Sequence, residues 1–351
     1  MTSIYIHIPF CKSLCRYCDF TKFAIHHQNV DAYLDSLEKE IRGACKGALP
    51  RTIYIGGGTP TAMNAEQLKR LMNIVDENFD LSKLEEFTIE ANPGDLTPEK
   101  CALLKNVTRV SLGVQTFDQD ILIKIGRLHS QKDVGENIKN LKAVGIDNIT
   151  IDLMYGLPTQ TIKTIQKDLE IFDKLEINHV SVYSLILEEG TYLFNHKQDL
   201  PDEDEEYEQG KFIERELEKR GLKRYEISNF ARINYESKHN LVYWNNEEYY
   251  GFGCGASGYI NKTRYENTTD LQQYLQGITK INEHKLTPQE IEEERIFLGL
   301  RKVEGVNCPD QDTTDLEKKG LIIRENGRIR LSERGFELAN EVMSEFIQGE
   351  D

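Results

Sequence analysis

The sequence predicts an α/β fold: a partial (β/α)6 barrel, then a mixed region, then a small winged-helix-like domain. Three observations carry that expectation. Short apolar strands alternate with amphipathic helices over the first two-thirds of the 351 residues, the pattern of a parallel sheet with right-handed crossovers. The six units fall short of the eight of a closed barrel, so an open or partial one fits the residue count. From Thr287 the pattern changes to helices, a hairpin and a last helix.

Each element has its own signal. Ile4, Ile6 and Ile8 alternate with Tyr5 and His7, which predicts a first strand over Ile4–Ile8. Apolar, β-branched runs predict strands at Thr52–Ile55, Phe87–Ala91, Arg109–Val114, Asn148–Leu153 and His179–Leu185. Between them, apolar residues at helical spacing predict helices at Val30–Ala44, Ala65–Val75, Pro98–Leu104, Asp133–Val144 and Thr161–Leu175. The acidic run Asp202-Glu203-Asp204-Glu205-Glu206 reads as a solvated helix start, where carboxylates complement the dipole, and that helix extends to about Arg220. A strand is expected at Tyr225–Phe230. Residues 231–277 are rich in Asn, Tyr and Gly and have no regular period. Helices at Pro288–Leu298 and Gln311–Lys318 precede Leu321–Leu331, where Asn326-Gly327 signals a type I′ hairpin. A last helix is expected over Ser332–Phe346. The chain thus divides into a barrel (1–225), an irregular region packed on it (226–284) and a winged-helix-like domain (285–351).

Composition excludes several classes of function. Hydrophobic residues make up 39% of the chain and 25 residues are glycine, enough for a large core and incompatible with wholesale disorder. The 43 basic residues against 59 acidic ones leave a net charge of −16. Non-specific binding to nucleic acid or to anionic membrane needs a basic face, so no nucleic acid partner is expected. In the C-terminal domain Glu is interleaved with Lys and Arg, and no basic stripe emerges. No run approaches the roughly 18 apolar residues of a membrane span. The first residues carry neither the charged start nor the apolar stretch of a signal peptide, so a cytoplasmic protein is expected.

Three of the seven cysteines, Cys11, Cys15 and Cys18, fall within eight residues, in the loop after the first strand. In a reducing compartment a C-x3-C-x2-C run points to metal or redox chemistry rather than a disulfide framework. A structural zinc site would need a fourth ligand from a second C-x-x-C or a His pair, and Cys45, Cys101, Cys254 and Cys308 are isolated. Asp19, not His, follows Cys18, so covalent c-type haem attachment is not indicated. An iron–sulfur cluster normally takes four Cys. Three leave one iron open to an exchangeable ligand, an arrangement suited to catalysis.

C-x3-C-x2-C at the end of the first strand of a partial (β/α)6 barrel resembles the signature of radical S-adenosylmethionine (SAM) proteins. The resemblance extends to the oxygen-independent coproporphyrinogen III oxidase family. It is carried by Tyr5-Ile6-His7-Ile8-Pro9-Phe10-Cys11, Gly56-Gly57-Gly58-Thr59-Pro60-Thr61, Glu90-Ala91-Asn92-Pro93, Ser111-Leu112-Gly113-Val114-Gln115 and Asp152-Leu153-Met154-Tyr155-Gly156-Leu157-Pro158. Each block lies at or just after a strand end, where barrel chemistry gathers.

The resemblance implies that Cys11, Cys15 and Cys18 hold a [4Fe–4S] cluster whose fourth iron is chelated by the methionine amine and carboxylate of SAM. Tyr5, Gly57, Gly58, Thr59, Glu90, Gln115, Arg127 and Asp152 would surround SAM, and Tyr17 would lie against the adenine. Without a Cβ, Gly56-Gly57-Gly58 lets backbone come close to the amine; taken alone, such a run is a tight turn. Glu90 and Gln115 would bond the cofactor's polar edges, Arg127 its carboxylate with a planar fork, and Asp152 its ribose or amine.

Two features select a branch. The oxidases of the family continue the cluster motif with a further Cys two residues on, where this chain has Cys18-Asp19-Phe20. They also carry a long segment before the first strand, whereas here Tyr5 follows Met1 almost at once. His239-Asn240-Leu241-Val242-Tyr243-Trp244 instead matches the H-N-x-x-Y-W pattern of the family's haem-chaperone branch. That implies haem binding and transfer to an acceptor protein, for which a membrane respiratory enzyme is a natural candidate. Reductive cleavage of SAM would add an electron donor such as a flavodoxin or reductase. A neutral imidazole is a good axial ligand, which makes His239 the haem-ligand candidate, and Tyr243 and Trp244 offer flat apolar surface. Read without the resemblance, His239 and Asn240 make capping or turn hydrogen bonds and Trp244 fills a core. An anaerobic coproporphyrinogen III oxidase is the alternative function, and a structural zinc protein a third. Gly253-Cys254-Gly255-Ala256-Ser257-Gly258 fits G-x-G-x-x-G but opens no βαβ unit, so close backbone packing around a buried Cys254 thiol is expected there.

Overall fold

The structure, a computed structural model, describes residues 2–197 and 199–347. Six strands occur where the alternation predicts them: β1 (Ser3–Ile8), β2 (Thr52–Gly57), β3 (Glu86–Ala91), β4 (Arg109–Gln115), β5 (Asn148–Tyr155) and β6 (His179–Ser184). Each pairs in parallel with the next. Their period-two pattern sorts the side chains. Ile4, Ile6, Ile8, Ile53, Ile55, Ile89, Val110, Leu112, Ile149 and Ile151 are buried in one core. The intervening Tyr54, Thr88, Glu90, Ser111, Thr150 and Asp152 line a small polar chamber inside the barrel. One face is apolar and meets the helices; the other is polar and fills the bore.

The helices that cover the apolar face are α1 (Val30–Cys45), α2 (Ala65–Asn78), α3 (Pro98–Leu103), α5 (Gln131–Ala143) and α6 (Ile162–Asp173), while α4 (Gln119–Lys124) packs Ile121 and Leu122 in a separate cluster with Met154, Leu157 and Leu185. Capping side chains fix their starts: Asn29 for α1, and full capping boxes at Asn64, Ser130 and Thr161 for α2, α5 and α6. The sequence did not reveal α4, because its six residues are too few to display a helical period. The acidic run caps and opens α7 (Glu203–Lys219), as its charge pattern predicts.

The largest departure lies at 223–285. In place of one strand at Tyr225–Phe230 the chain forms β7 (Lys223–Arg224) and β8 (Asn229–Ala231). The segment read as irregular contains α8 (Lys238–Trp244), β9 (Tyr249–Phe252), β10 (Ser257–Ile260) and β11 (Thr263–Asn267), and β12 (Lys280–Lys285) follows. Glycine hides the strand period here: a Cβ on Gly258 would stand 2.2 Å from the Tyr265 ring, so a close backbone approach replaces an alternating side chain. The main sheet has the order β12-β11-β10-β9-β1-β2-β3-β4-β5-β6-β8-β7. β9 joins β1 in parallel, making a seventh parallel strand, and β10–β12 continue antiparallel. The glycine-rich turn after β9 buries Cys254 completely and seats Gly253 against the His7 carbonyl.

The last part has its own core of Ile296, Leu300, Val306, Ile322, Ile329, Leu331, Val342 and Met343. It comprises α9 (Pro288–Gly299), β13 (Val306–Asn307), α10 (Thr314–Lys318), the hairpin β14 (Ile322–Glu325) and β15 (Arg328–Leu331), and two short helices, α11 (Glu333–Glu337) and α12 (Ala339–Ser344). Asn326 and Gly327 both have positive φ, 52° and 77°, as a type I′ turn requires. The single helix expected over Ser332–Phe346 is broken at Leu338, whose φ of −110° and ψ of 30° interrupt the helical path.

α8 closes the end of the barrel where the strands begin. The Lys238 and His239 backbone N–H groups donate to the Glu86 carboxylate at 3.2 and 2.9 Å. Arg109, fully buried, donates to Glu86 and to the Tyr235 and Glu236 carbonyls just before the helix.

Candidate functional site: a thiol-lined cavity at the barrel mouth

At the opposite end, where the parallel strands finish, a cavity of about 480 Å³ opens. A short parallel pair, Phe10–Cys11 with Phe23–Ala24, brackets the loop that bears the cysteines. Cys11, Cys15, Tyr17 and Cys18 form one wall, and Gly57, Gly58 and Thr59 follow from β2. Glu90 enters from β3, Gln115 from β4, Arg127 from the turn after α4, and Asp152 from β5. These eleven sequence-predicted positions therefore meet around one space, although they span more than 140 residues of chain.

Local geometry explains how they are held. Gln115 ends β4 at a bulge in its pairing with β5 and has φ 69°. That left-handed conformation turns the strand end towards the cavity, and such strain is kept where surrounding structure fixes it. Arg127 is buried; its Nη1 lies 3.4 Å from Cys15 Sγ, and its Nη2 donates to Asn92 Oδ1 at 2.7 Å and to the Gly113 carbonyl. Asn92 in turn donates to Thr59 Oγ1 at 2.8 Å, and Thr59 Oγ1 lies 3.8 Å from Cys11 Sγ. The glycine run is needed for packing: a Cβ on Gly57, at φ +108°, would meet the His7 ring at 2.5 Å. Its N–H donates to Glu90 Oε2 at 3.0 Å, and Tyr54 donates to Glu90 Oε1 at 2.7 Å.

Two carboxyls in the cavity are poised to change charge. Burial pushes Glu90 up to about 7, with the Asp152 charge adding to the effect and the Tyr54 hydrogen bond opposing it. Burial likewise pushes Asp152 up to about 6 against hydrogen bonds from Ser111 and Ser181. A cationic amine entering the cavity would restore both to their ionised forms. Burial also raises the Cys11 thiol to about 11, so it carries its proton until a metal displaces it.

The donor set fits an iron–sulfur cluster. The three thiols face one cavity, yet among the described residues no three His, Cys, Asp or Glu side chains gather closely enough around a single ion. A cluster bound through three separate irons does not ask them to; one tetrahedral zinc would.

Two expected positions lie elsewhere. Tyr5 sits in the bore beneath the cavity, its hydroxyl 2.8 Å from His7 Nδ1, while His7 Nε2 is 3.0 Å from the Thr21 carbonyl. Tyr5 thus supports the cysteine loop through His7 and does not line the cavity. His239 lies at the closed end, on α8, and is fully buried. Its Nδ1 is 2.8 Å from Thr52 Oγ1 and its Nε2 is 2.9 Å from the Tyr243 hydroxyl. Burial lowers its pKa to about 3, so the ring is neutral, but each nitrogen already has a hydroxyl partner that an iron would have to displace. Sequence reasoning passed over Asn92, Ser111, Tyr54 and His7 as individual contributors. Asn92 and Ser111 stand in the motif blocks, and Tyr54 and His7 could have been found as the inward positions of the strand alternation.

Residues 5–172 match the Radical SAM superfamily. The Heme chaperone HemW of Lactococcus lactis subsp. lactis is 44% identical over 98% of this chain and 97% of its own. The Heme chaperone HemW of Bacillus subtilis is 43% identical over 99% of each chain, and that of Escherichia coli 34% identical over 74% of this chain and 70% of its own. The coproporphyrinogen III oxidase HemN of Escherichia coli, a radical SAM enzyme, has a similar structure: the TM-score is 0.87 at 24% identity, covering 98% of this chain and 89% of that one. At that identity the likeness is one of fold.

Proposed function

Since this chain belongs to the radical SAM superfamily and, within it, to the HemW haem-chaperone family, we propose that it binds haem, a [4Fe–4S] cluster and SAM and passes the haem to an acceptor protein. The observation that carries the cofactor part is the cavity at the barrel mouth, where three thiols stand beside Glu90, Gln115, Arg127 and Asp152. Cys11, Cys15 and Cys18 would hold the cluster, which when bound supplies a low-potential electron and an open iron for SAM.

The chain's own residues position the nucleoside. Glu90 and Asp152 present two carboxylates to its amine, Arg127 and Thr59 present donors to its carboxylate, and Tyr17 offers a flat face to the adenine. Tyr54 and the Gly57 N–H fix the Glu90 carboxylate in place. Phe20, Met154, Tyr183 and Ile186 add apolar surface to the cavity lining.

The haem part rests on the full-length match to the haem chaperones and on the H-N-x-x-Y-W block, whose Tyr243 and Trp244 line an apolar groove away from the cluster. Phe20, where the oxidases have a further Cys, supports the chaperone branch. The acceptor in this reading is a respiratory enzyme at the membrane, the electron donor a flavodoxin or reductase, and the chain itself acts in the cytoplasm. No helix among the described residues is long and apolar enough to cross a membrane.

Three measurements on anaerobically reconstituted protein test the proposal together. Iron and sulfide analysis should give one cluster per chain, and hemin titration should give a saturable Soret change near one haem per chain. Incubation with SAM, reductant and coproporphyrinogen should yield no protoporphyrinogen beyond stoichiometric amounts. Catalytic formation of that product would replace the chaperone with the oxidase.

A further inference from the structure

We propose that the haem of the preceding reading, on which this inference rests, sits in the groove between α8, the sheet and α9, with His284 as its axial ligand. The groove has a volume of about 670 Å³, within the range of small-molecule sites, roughly 300–1,000 Å³. Its walls are apolar: Tyr243 and Trp244 from α8, Tyr249 from β9, Leu286, and Phe297 and Leu298 from α9. Two of them complete the H-N-x-x-Y-W block. The block therefore reaches this groove through its last two residues, while its His239 turns into the barrel.

Strand register places His284 at the groove. Tyr249 lies opposite Tyr259, Tyr259 opposite Arg264, and Arg264 opposite His284. Directly paired residues share a face of the sheet, so the four form one row across β9–β12 that ends at the imidazole. The His284 side chain is 62% exposed, unlike that of His239. Its Nε2 lies 2.6 Å from Glu290 Oε1, and the Thr287 backbone N–H donates to Glu290 Oε2 at 2.6 Å. A carboxylate on one ring nitrogen fixes the tautomer and orientation of a metal-ligating imidazole and raises its basicity. The other nitrogen is left for the iron.

Two of the groove's carboxylates are offset by arginines, and Glu290 is engaged by His284. Glu247 pairs with Arg51 at 2.8 Å, Glu294 pairs with Arg264 at 2.7 Å, and Glu293 accepts from Gln289 Nε2 at 2.8 Å. The Trp244 indole N–H is buried with no partner among the described residues, a donor available to a polar edge. Haem would lie with its ring between the aromatic walls and its propionates at the open side.

The test is a hemin titration of the full chain read by Soret position and by fluorescence of Trp244, the only tryptophan. It compares the wild type with His284→Ala, Leu286→Glu and His239→Ala. We expect His284→Ala to shift the Soret band and weaken binding at least tenfold. Leu286→Glu, which charges the groove but keeps the imidazole, should weaken binding as strongly. His239→Ala should keep the wild-type Soret position in whatever fraction of the protein is folded. Wild-type spectrum and affinity in His284→Ala would overturn the site while leaving the haem reading intact. So would a changed Soret band in folded His239→Ala. Non-saturating binding by the wild type would remove the haem reading itself, and this inference with it.

Discussion

Glu90 shows how a single side chain joins stability to ligand binding. Its carboxyl is raised from the usual range to about 7 by burial, so the folded chain holds a proton there that the unfolded chain has released. Its contribution to stability is therefore present below the unfolded value and lost as pH rises through about 7. Glu90→Gln can keep its one oxygen on the Gly57 N–H and donate its amide N–H to the Tyr54 hydroxyl oxygen, and it cannot ionise. The cofactor-free variant should be more stable than wild type at about pH 8, by on the order of 1–3 kcal/mol, and equal to it below about pH 4. Urea midpoints across that range would check this, and a midpoint lowered at high pH would contradict it. The same charge serves the ligand. SAM affinity measured calorimetrically should rise with pH between about 6 and 7 as Asp152 and Glu90 ionise, with protons released on binding. A flat profile would mean the amine does not meet these carboxylates. His239 is the contrasting residue, held by Thr52 and Tyr243. Replacing it with Ala leaves the Tyr243 hydroxyl unpaired, Thr52 with only its bond to Ser3, and a cavity beside Tyr54, and should destabilise the chain by roughly 2–4 kcal/mol.

α8 closes the start of the barrel and is docked by charge rather than by a long apolar stripe. Its seven residues bury only His239 and Val242. Arg109 and Glu86, the first residues of β4 and β3, make a buried ion pair at 3.1 Å; Arg109 Nη2 and the Glu86 oxygens also bond the backbone of residues 235–239, and Arg109 Nη1 donates to Thr150 Oγ1. Breaking one side of such a pair strands the other charge, so Arg109→Met should cost about 3–5 kcal/mol. Hydrogen exchange should then show α8 opening before the strands. Equal protection of α8 in both proteins would place its anchorage elsewhere. Elements of this kind are hard to read in a sequence. α1, with 16 residues and a clean apolar face, announces itself by period, whereas α4 and α8 are held by capping and by partners far along the chain.

The whole molecule is organised by the two ends of the barrel. The thiol cavity lies where the parallel strands finish, and α8 with its groove lies where they begin. Strands of six to eight residues separate them by roughly 20 Å at about 3.3 Å per residue. Hemin affinity should therefore be the same within about twofold in cluster-free and reconstituted protein. A tenfold difference would mean that the two ends communicate through the bore, for which Tyr54, between Glu90 and the His239 ring, would be the first residue to examine. The C-terminal part, with its separate core, supplies α9 as the far wall of the groove.

The six-stranded alternation and the cysteine loop are legible in the chain itself, and the resemblance to radical SAM proteins supplied the eleven positions that the structure brings around the cavity. The alternation follows a short-range rule, since a period of two sends alternate side chains to opposite faces. Tertiary structure alone decided what 231–277 forms, because close-approach glycines erase the alternation that would mark its strands. It also decided the fate of the two histidines. Nothing in the local sequence shows that His239 is claimed by Thr52, 187 residues away, or that His284 stands exposed on an edge strand with one ring nitrogen on Glu290. Whether a ring nitrogen is available depends on which partners long-range packing brings to it, and that is fixed only when the barrel closes.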